Sequence, residues 1–398
     1  MRAALVSWVA SLLTFTAGSA PLNAPARASG QGAEASEASS PSVSEPWAHK
    51  TPAAVGLDPA PLAALGEQLR AKPELNVHAV LIVKDGALVY EQYLEGRDEN
   101  WGDYLGVVRF DRETLHDMRS TTKSVVSALV GIAMGDGSIR GVDTPVVDLL
   151  PEQTIVDREA KRSILLRHVL TMTAGLEWDE SMPYTDPRNS EIQMTRSSDP
   201  IGYVLSRQLM AEPGRQFNYN GGLTELLAAV VRHATGQGLE AFATERLFAP
   251  LGIERFEWRR HANELPSAAS GLRLRPVDLA KFGYLYLNRG QWNGRQILPA
   301  AWVDESLREH WQAPHFGYGY QWRVPRFTAK GTPIEAFQTR GNGGQCAFVF
   351  PTLGLVVVTT AGNYNQFQGD RQFIPHRLIA EYVLPSAGVK NVELVLKK

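Results

Sequence analysis

Between Val125 and Met134 nearly every position is apolar or small. A helix apolar on all sides belongs in a core, so the pattern predicts a buried helix over 120–136. Upstream, 58–71 reads as a helix opened by Asp58 and Pro59. The stretch "VHAVLIVKDGALVYEQYLEG" reads as two strands joined at Asp85-Gly86. In the middle of the chain "SILLRHVLTMTAG", "LTELLAAVVRHATG" and "LEAFATERLFAPLG" read as helices, each closed by a glycine, and "RPVDLAKFGYLYLNRGQ" as another. Strands return in "GYGYQWRV", "QCAFVFP" and "LGLVVVTTAGN", and a helix over "FIPHRLIAEYVL" follows them. This order predicts an α+β fold: an antiparallel sheet flanked by helices and built from both chain ends, 48–140 and 272–398. A mainly helical domain, 141–271, is inserted between them.

The first residues interrupt this picture. Met1-Arg2, the apolar run "AALVSWVASLLTF" and the small residues of "APARASG" resemble a secretory signal peptide ending at Ala28. The run is shorter than the roughly 20 residues of a spanning helix, so no stable membrane span is expected once 1–28 is removed. Export to the periplasm or medium of a bacterium is the expectation. Residues 29–47 are mostly small and polar and read as a flexible linker.

Composition narrows the class. The chain has 398 residues, 44% of them hydrophobic and 21% charged, which is ample for a large core. A net charge of −2 is no footprint for nucleic acid. The single cysteine, Cys346, excludes a disulfide framework and reads as a small buried residue. No Gly-x-Ser-x-Gly, His-Glu-x-x-His, P-loop or dinucleotide fingerprint occurs, and the nine histidines have no zinc-type spacing, so no metal or cofactor is expected. Oligomeric state is left open.

One position breaks the buried helix. Lys123 is the only charge between Arg119 and Asp136, one turn after Ser120. Residues three apart share a helix face, so amine and hydroxyl can meet. A buried lysine is expected to lose proton affinity by desolvation and to serve as a base for serine. The alternative is a helix start whose lysine snorkels to solvent. A second segment, Tyr219-Asn220-Gly221-Gly222, sits on a turn before a helix. There Tyr219 can carry a proton and Asn220 can bind a substrate carbonyl, or Tyr219 can simply pack at a domain boundary. A third segment, "TRGNGGQ", lets the backbone at Gly341 approach a ligand and offers an N–H to an oxyanion, or it is a tight hairpin connection. The polar stretch 177–200 reads as a loop over the cleft, with Tyr184 and Asp186 as candidate substrate contacts or as solvated surface.

Taken in this order, the segments resemble the serine β-lactamase and penicillin-binding-protein-like hydrolases. The look is closest to class C β-lactamase relatives, esterases and 6-aminohexanoate-dimer hydrolase. The resemblance runs over roughly residues 50–385 and includes "LLRHVLTMTAGLEW", "FAPLGIERFEW" and "RPVDLAKFGYLYLNRGQWNGRQILPAAWV". It implies a β-lactamase/transpeptidase-like fold, Ser120 as nucleophile, and Lys123 and Tyr219 as its proton shuttle. The backbone N–H groups of Ser120 and, by family position, Asn342 would form the oxyanion hole. Two departures stand out: Gly221 where the β-lactamases carry Asn, and Thr339-Arg340-Gly341 in place of Lys-Thr-Gly or His-x-Gly. Both point away from a β-lactamase or D-alanyl-D-alanine carboxypeptidase and toward a small ester or amide substrate. A catalytically idle periplasmic binding or sensor relative is the alternative from another class.

Overall fold

Strand β1 (Val77–Lys84) is apolar along almost its whole length because both of its faces are covered. Its side chains alternate between two cores: Ala79, Leu81 and Val83 enter one, Val80 and Ile82 the other. The Asp85-Gly86 turn leads into β2 (Ala87–Tyr93), as the sequence predicts. The computed structural model describes residues 47–366 and 370–396. The expected signal peptide and residues 29–46 of the expected linker lie outside them. Packing begins at Trp47, the last residue of that linker, which is buried edge-on against Tyr284 and Trp292.

A second hairpin, β3 (Glu95–Asn100) and β4 (Asp103–Arg109), precedes the helical part. Late in the chain come β5 (Cys346–Phe350) and β6 (Leu355–Ala361). The main sheet has nine strands, in the order Ala48–His49, β2, β1, β6, β5, Phe337–Gln338, Arg323–Pro325, Phe316–Tyr318 and Trp311–Ala313. All neighbours are antiparallel except Ala48–His49 with β2. The pairing of β1 with β6 joins the early and late parts of the chain, so the sheet is built from both ends as expected.

Helices cover both faces. Helix α1 (Pro59–Ala71), N-capped by the Asp58 side chain on Ala60 N–H, shares one core with the segment Ile374–Ser386. On the other face lie α2 (Thr121–Gly135) and, later, Pro276–Leu287. Helix α2 is buried from Thr121 to Ala133. Its two interior serines are satisfied there: Ser124 Oγ donates to Gln321 O (2.6 Å) and Ser127 Oγ to Tyr320 O (2.8 Å). Between 141 and 271 the chain contributes α3 (Ser190–Arg196) and α4 (Gly221–Thr235), the latter ended by Gly236 in the left-handed conformation.

Two expected elements change shape. "GYGYQWRV" is two strands, Phe316–Tyr318 and Arg323–Pro325, because Gln321 turns the chain at φ +63°. That turn is pinned by the Gln321 amide, which donates to Leu170 O (2.9 Å). "SILLRHVLTMTAG" is helical only over Leu166–Leu170, since Met172 takes φ +60°. Among the described residues no helix is long and apolar enough to cross a membrane.

Candidate active site

Ser120 is the N-cap of α2, and its hydroxyl makes no capping bond, which leaves it for other work. The residue before it, Arg119, is held at φ +48°, a conformation a non-glycine residue adopts only under constraint. The constraint is visible. The Arg119 guanidinium is stacked between the Trp101 and Tyr364 rings, 4.5 Å from each centroid, and bonds to Glu99 (2.9 Å) and Asp117 (3.2 Å). Four partners thus fix the turn that presents Ser120.

Lys123 is 1% exposed. Its Nζ donates to Ser120 Oγ at 3.2 Å and to Ala269 O at 2.7 Å, and lies 5.2 Å from the Tyr219 ring centre. It does not snorkel. The expectation that burial makes it neutral is corrected here. Desolvation does lower its proton affinity. The neighbouring Tyr219, Glu191 and Glu180, with a hydrogen bond from the Lys123 ammonium to Tyr219, outweigh that and hold the ammonium form well above the ordinary lysine range.

The two glutamates were not singled out in the sequence. Glu180 Oε2 accepts from Trp178 Nε1 and from the backbone N–H of Gly221, both at 2.8 Å, and its Oε1 accepts from Tyr184 Oη at 2.7 Å. Glu191, at the start of α3, accepts from Ser270 Oγ at 3.2 Å. Burial, then the charge of Glu191 and a hydrogen bond to it, raise Glu180 well above the carboxylate range. Gly221 explains itself at this point: a β-carbon there would lie 2.6 Å from Glu191 Oε2 and 3.4 Å from Glu180 Oε2. The acidic pair occupies the space next to the third position of the tyrosine motif. Asn220 is buried and its Oδ1 caps α4 by accepting from Leu223 N–H (3.2 Å).

The third segment closes on the first. Gly341 N–H donates to Gln345 O (2.7 Å), and a β-carbon on Gly341 would stand 2.2 Å from Met118 O, so only glycine lets this backbone meet the turn before Ser120. Thr121 Oγ1 ties the helix start to the same segment through Gln345 O (3.0 Å). Asn342 is latched to Asn365 by two bonds of 2.9 Å. Arg340 is instead turned toward Phe373 and Gln372.

A cavity of about 520 Å³ opens over this ground, and Ser120, Asn342, Tyr184, Glu191, Arg119 and Trp101 are among its walls. Thr185, Ile192 and Thr195 line it too, so the 177–200 stretch borders the cleft as expected. Asp186 is not in its lining; it is engaged by Arg188 within the loop, which holds its carboxyl down to about 2. A larger cavity of about 660 Å³, bordered by Ala228 and Leu239, contains none of the predicted site residues. Finally, the fold gathers His78, Asp98 and His116 beneath the Arg119 turn, although no histidine spacing hinted at it.

The profile of the β-lactamase family matches residues 62–380, and the chain belongs to that family. It is 26% identical over 249 residues to 6-aminohexanoate-dimer hydrolase of Paenarthrobacter ureafaciens, covering 59% of this chain and 58% of that protein. Over 216 residues it is 25% identical to Esterase EstB of Burkholderia gladioli, covering 51% and 53%. Among solved structures, EstCE1, titled a hydrolase with promiscuous acyltransferase activity, superposes with TM-score 0.64 at 19% identity, covering 80% of this chain and 97% of that one.

Proposed function

We propose that this protein is a serine hydrolase of small esters or amides that works through an acyl-enzyme on Ser120. The observation that carries the reading is the buried Lys123 amine 3.2 Å from Ser120 Oγ. Lys123 and Tyr219 act as one unit. The form able to accept a proton is the pair short of one, and Lys123, whose proton affinity is raised, keeps its own. Tyr219 oxygen therefore takes the Ser120 proton while Oγ bonds to the substrate carbonyl carbon. The Lys123 ammonium offsets the charge this develops. Backbone N–H groups of Ser120 and Asn342 hold the oxyanion. Tyr219 then protonates the departing alcohol or amine as the carbonyl reforms, and water repeats the sequence to release the acid.

The ester and amide reading is favoured over a β-lactamase or carboxypeptidase because Gly221 and the averted Arg340 remove two groups that would hold an antibiotic or peptide. Two of the relatives, 6-aminohexanoate-dimer hydrolase and Esterase EstB, carry names that fit it. Secretion after cleavage near Ala28 is part of the proposal. The mass of the exported chain tests it, and a chain that stays intact in the cytoplasm would refute it.

The deciding experiment is intact mass after exposure to a fluorophosphonate. One adduct on the parent and none on Ser120→Ala is expected. No adduct on the folded parent would leave an idle binding relative; adducts on both would mean another serine is the nucleophile. A short-chain nitrophenyl ester compared with a chromogenic cephalosporin then separates the substrate classes.

A further inference from the structure

His78 of β1, Asp98 of β3 and His116 of the strand His116–Asp117 come together in a cluster sealed from solvent, with one ligand atom of each within 4.8 Å of the others. His78 Nδ1 faces His116 Nε2 at 2.7 Å, and His116 Nε2 is 3.9 Å from Asp98 Oδ1. The outward nitrogens are already engaged. His78 Nε2 lies 3.1 Å from Arg97 O and His116 Nδ1 lies 3.3 Å from Asp117 O. A carbonyl oxygen only accepts, so each outer nitrogen carries its ring's proton. Both inner nitrogens then present lone pairs to each other. With the other tautomer of His116, its Nδ1 lone pair would face Asp117 O instead. Either arrangement sets two acceptors together unless a positive centre joins them.

We propose that His78 Nδ1, His116 Nε2 and the Asp98 carboxylate bind one divalent ion of the zinc class, the second carboxylate oxygen making the fourth donor. Two neutral imidazoles and one carboxylate are a zinc donor set, whereas calcium and magnesium take oxygen alone. The outer hydrogen bonds are the kind that orient metal-bound histidines, and Asp98 has its own, from Tyr364 Oη at 3.0 Å. Tetrahedral zinc needs its nitrogens about 3.4 Å apart, so the rings part by less than an ångström. The ion stands outside the reaction. His116 begins the run His116-Asp117-Met118-Arg119-Ser120, Asp117 binds Arg119 and Arg273, and Tyr364 packs on Arg119. An ion here fastens three strands to the turn that presents Ser120. The inference does not depend on Ser120 being the nucleophile.

The full chain is stripped with a chelator, dialysed against zinc chloride, washed and assayed for metal. About one equivalent of zinc per chain is expected, lost in both Asp98→Asn and His116→Gln. Cobalt in its place should give the intense visible bands of a tetrahedral ion. Its paramagnetic NMR spectrum should show two shifted, slowly exchanging N–H protons, from the outer nitrogens of the two rings. This readout needs no variant, so it stands even where a substitution unfolds the chain. Wild-type protein that takes up no zinc overturns the proposal. So does zinc retained by the folded variants, or a weak octahedral cobalt spectrum, either of which means a surface ion only.

Discussion

A β-carbon on Gly221 would lie 2.6 Å from Oε2 of Glu191. The glycine that departs from the family's tyrosine motif is therefore the counterpart of an acid on another segment, and the two should behave as a couple. Gly221→Asn, which restores the β-lactamase residue, is expected to cost about 1–3 kcal/mol of stability. The double variant Gly221→Asn, Glu191→Ala is expected to recover part of it. Urea midpoints for the four members of the cycle measure this. Strict additivity would mean the two positions do not share the space.

Glu191 also acts on Lys123 through its charge. Removing it as Glu191→Gln takes away one of the influences that hold the ammonium form. Lys123 then holds its proton less tightly, so the rising limb of the kcat/KM profile moves to lower pH. A profile unmoved on the pH axis, with only a lower plateau, would leave Glu191 a packing role alone.

Arg119 presents Ser120 but lies outside the proton path. Arg119→Ala frees the strained turn from four partners. A displacement of the nucleophile on the ångström scale costs roughly a hundredfold in rate. Ester hydrolysis and the rate of fluorophosphonate labelling should fall together by about that factor, with the circular dichroism spectrum unchanged. Labelling at the parent rate would show that the turn holds its shape without the clamp.

His376 is one contributor to the pH dependence of stability. It is buried among Phe327, Phe348 and Phe373, and burial first, then Arg340 and Arg323, hold it well below the ordinary histidine range. The folded state refuses a proton that the unfolded chain accepts below about pH 6.5. Its contribution is fully present above that pH and declines as the solution is acidified, down to the depressed folded value. His376→Phe should lose less stability than the parent between pH 7.5 and 5, read as urea midpoints. Parallel losses would exclude His376 as a source of acid sensitivity.

What was legible in the sequence is what is local. Ser120 and Lys123 are one helical turn apart, and Asp85-Gly86 and Gly236 state their turn and cap in their own residue types. The strand pattern also revealed that both ends of the chain share a sheet. What was not legible depends on distant parts meeting. Glu180 and Glu191 reach the site because their loop is closed by Ser190 N–H on Asp179 O (2.8 Å), which no spacing rule announces. The protonation of Lys123 is beyond the local sequence for the same reason: burial can be read from an apolar helix, but the acids brought to it cannot. His78, Asp98 and His116 come from three separate strands, and their rings meet only once those strands are placed.

The neighbours β1 and β6 come from early and late parts of the polypeptide, with most of the candidate site residues strung between them. A ribosome delivers Ser120, Lys123 and Tyr219 long before it delivers β6. Until then β1 lacks one of its two main-sheet neighbours, and the Gly341 backbone has not arrived to lie against Met118. On the proposed function, the nascent chain stays chemically silent through most of its synthesis, and Ser120 becomes competent only when the last strands dock. Non-local pairing of this kind also makes folding slow, so the wait between release and first turnover is written into the order of the strands.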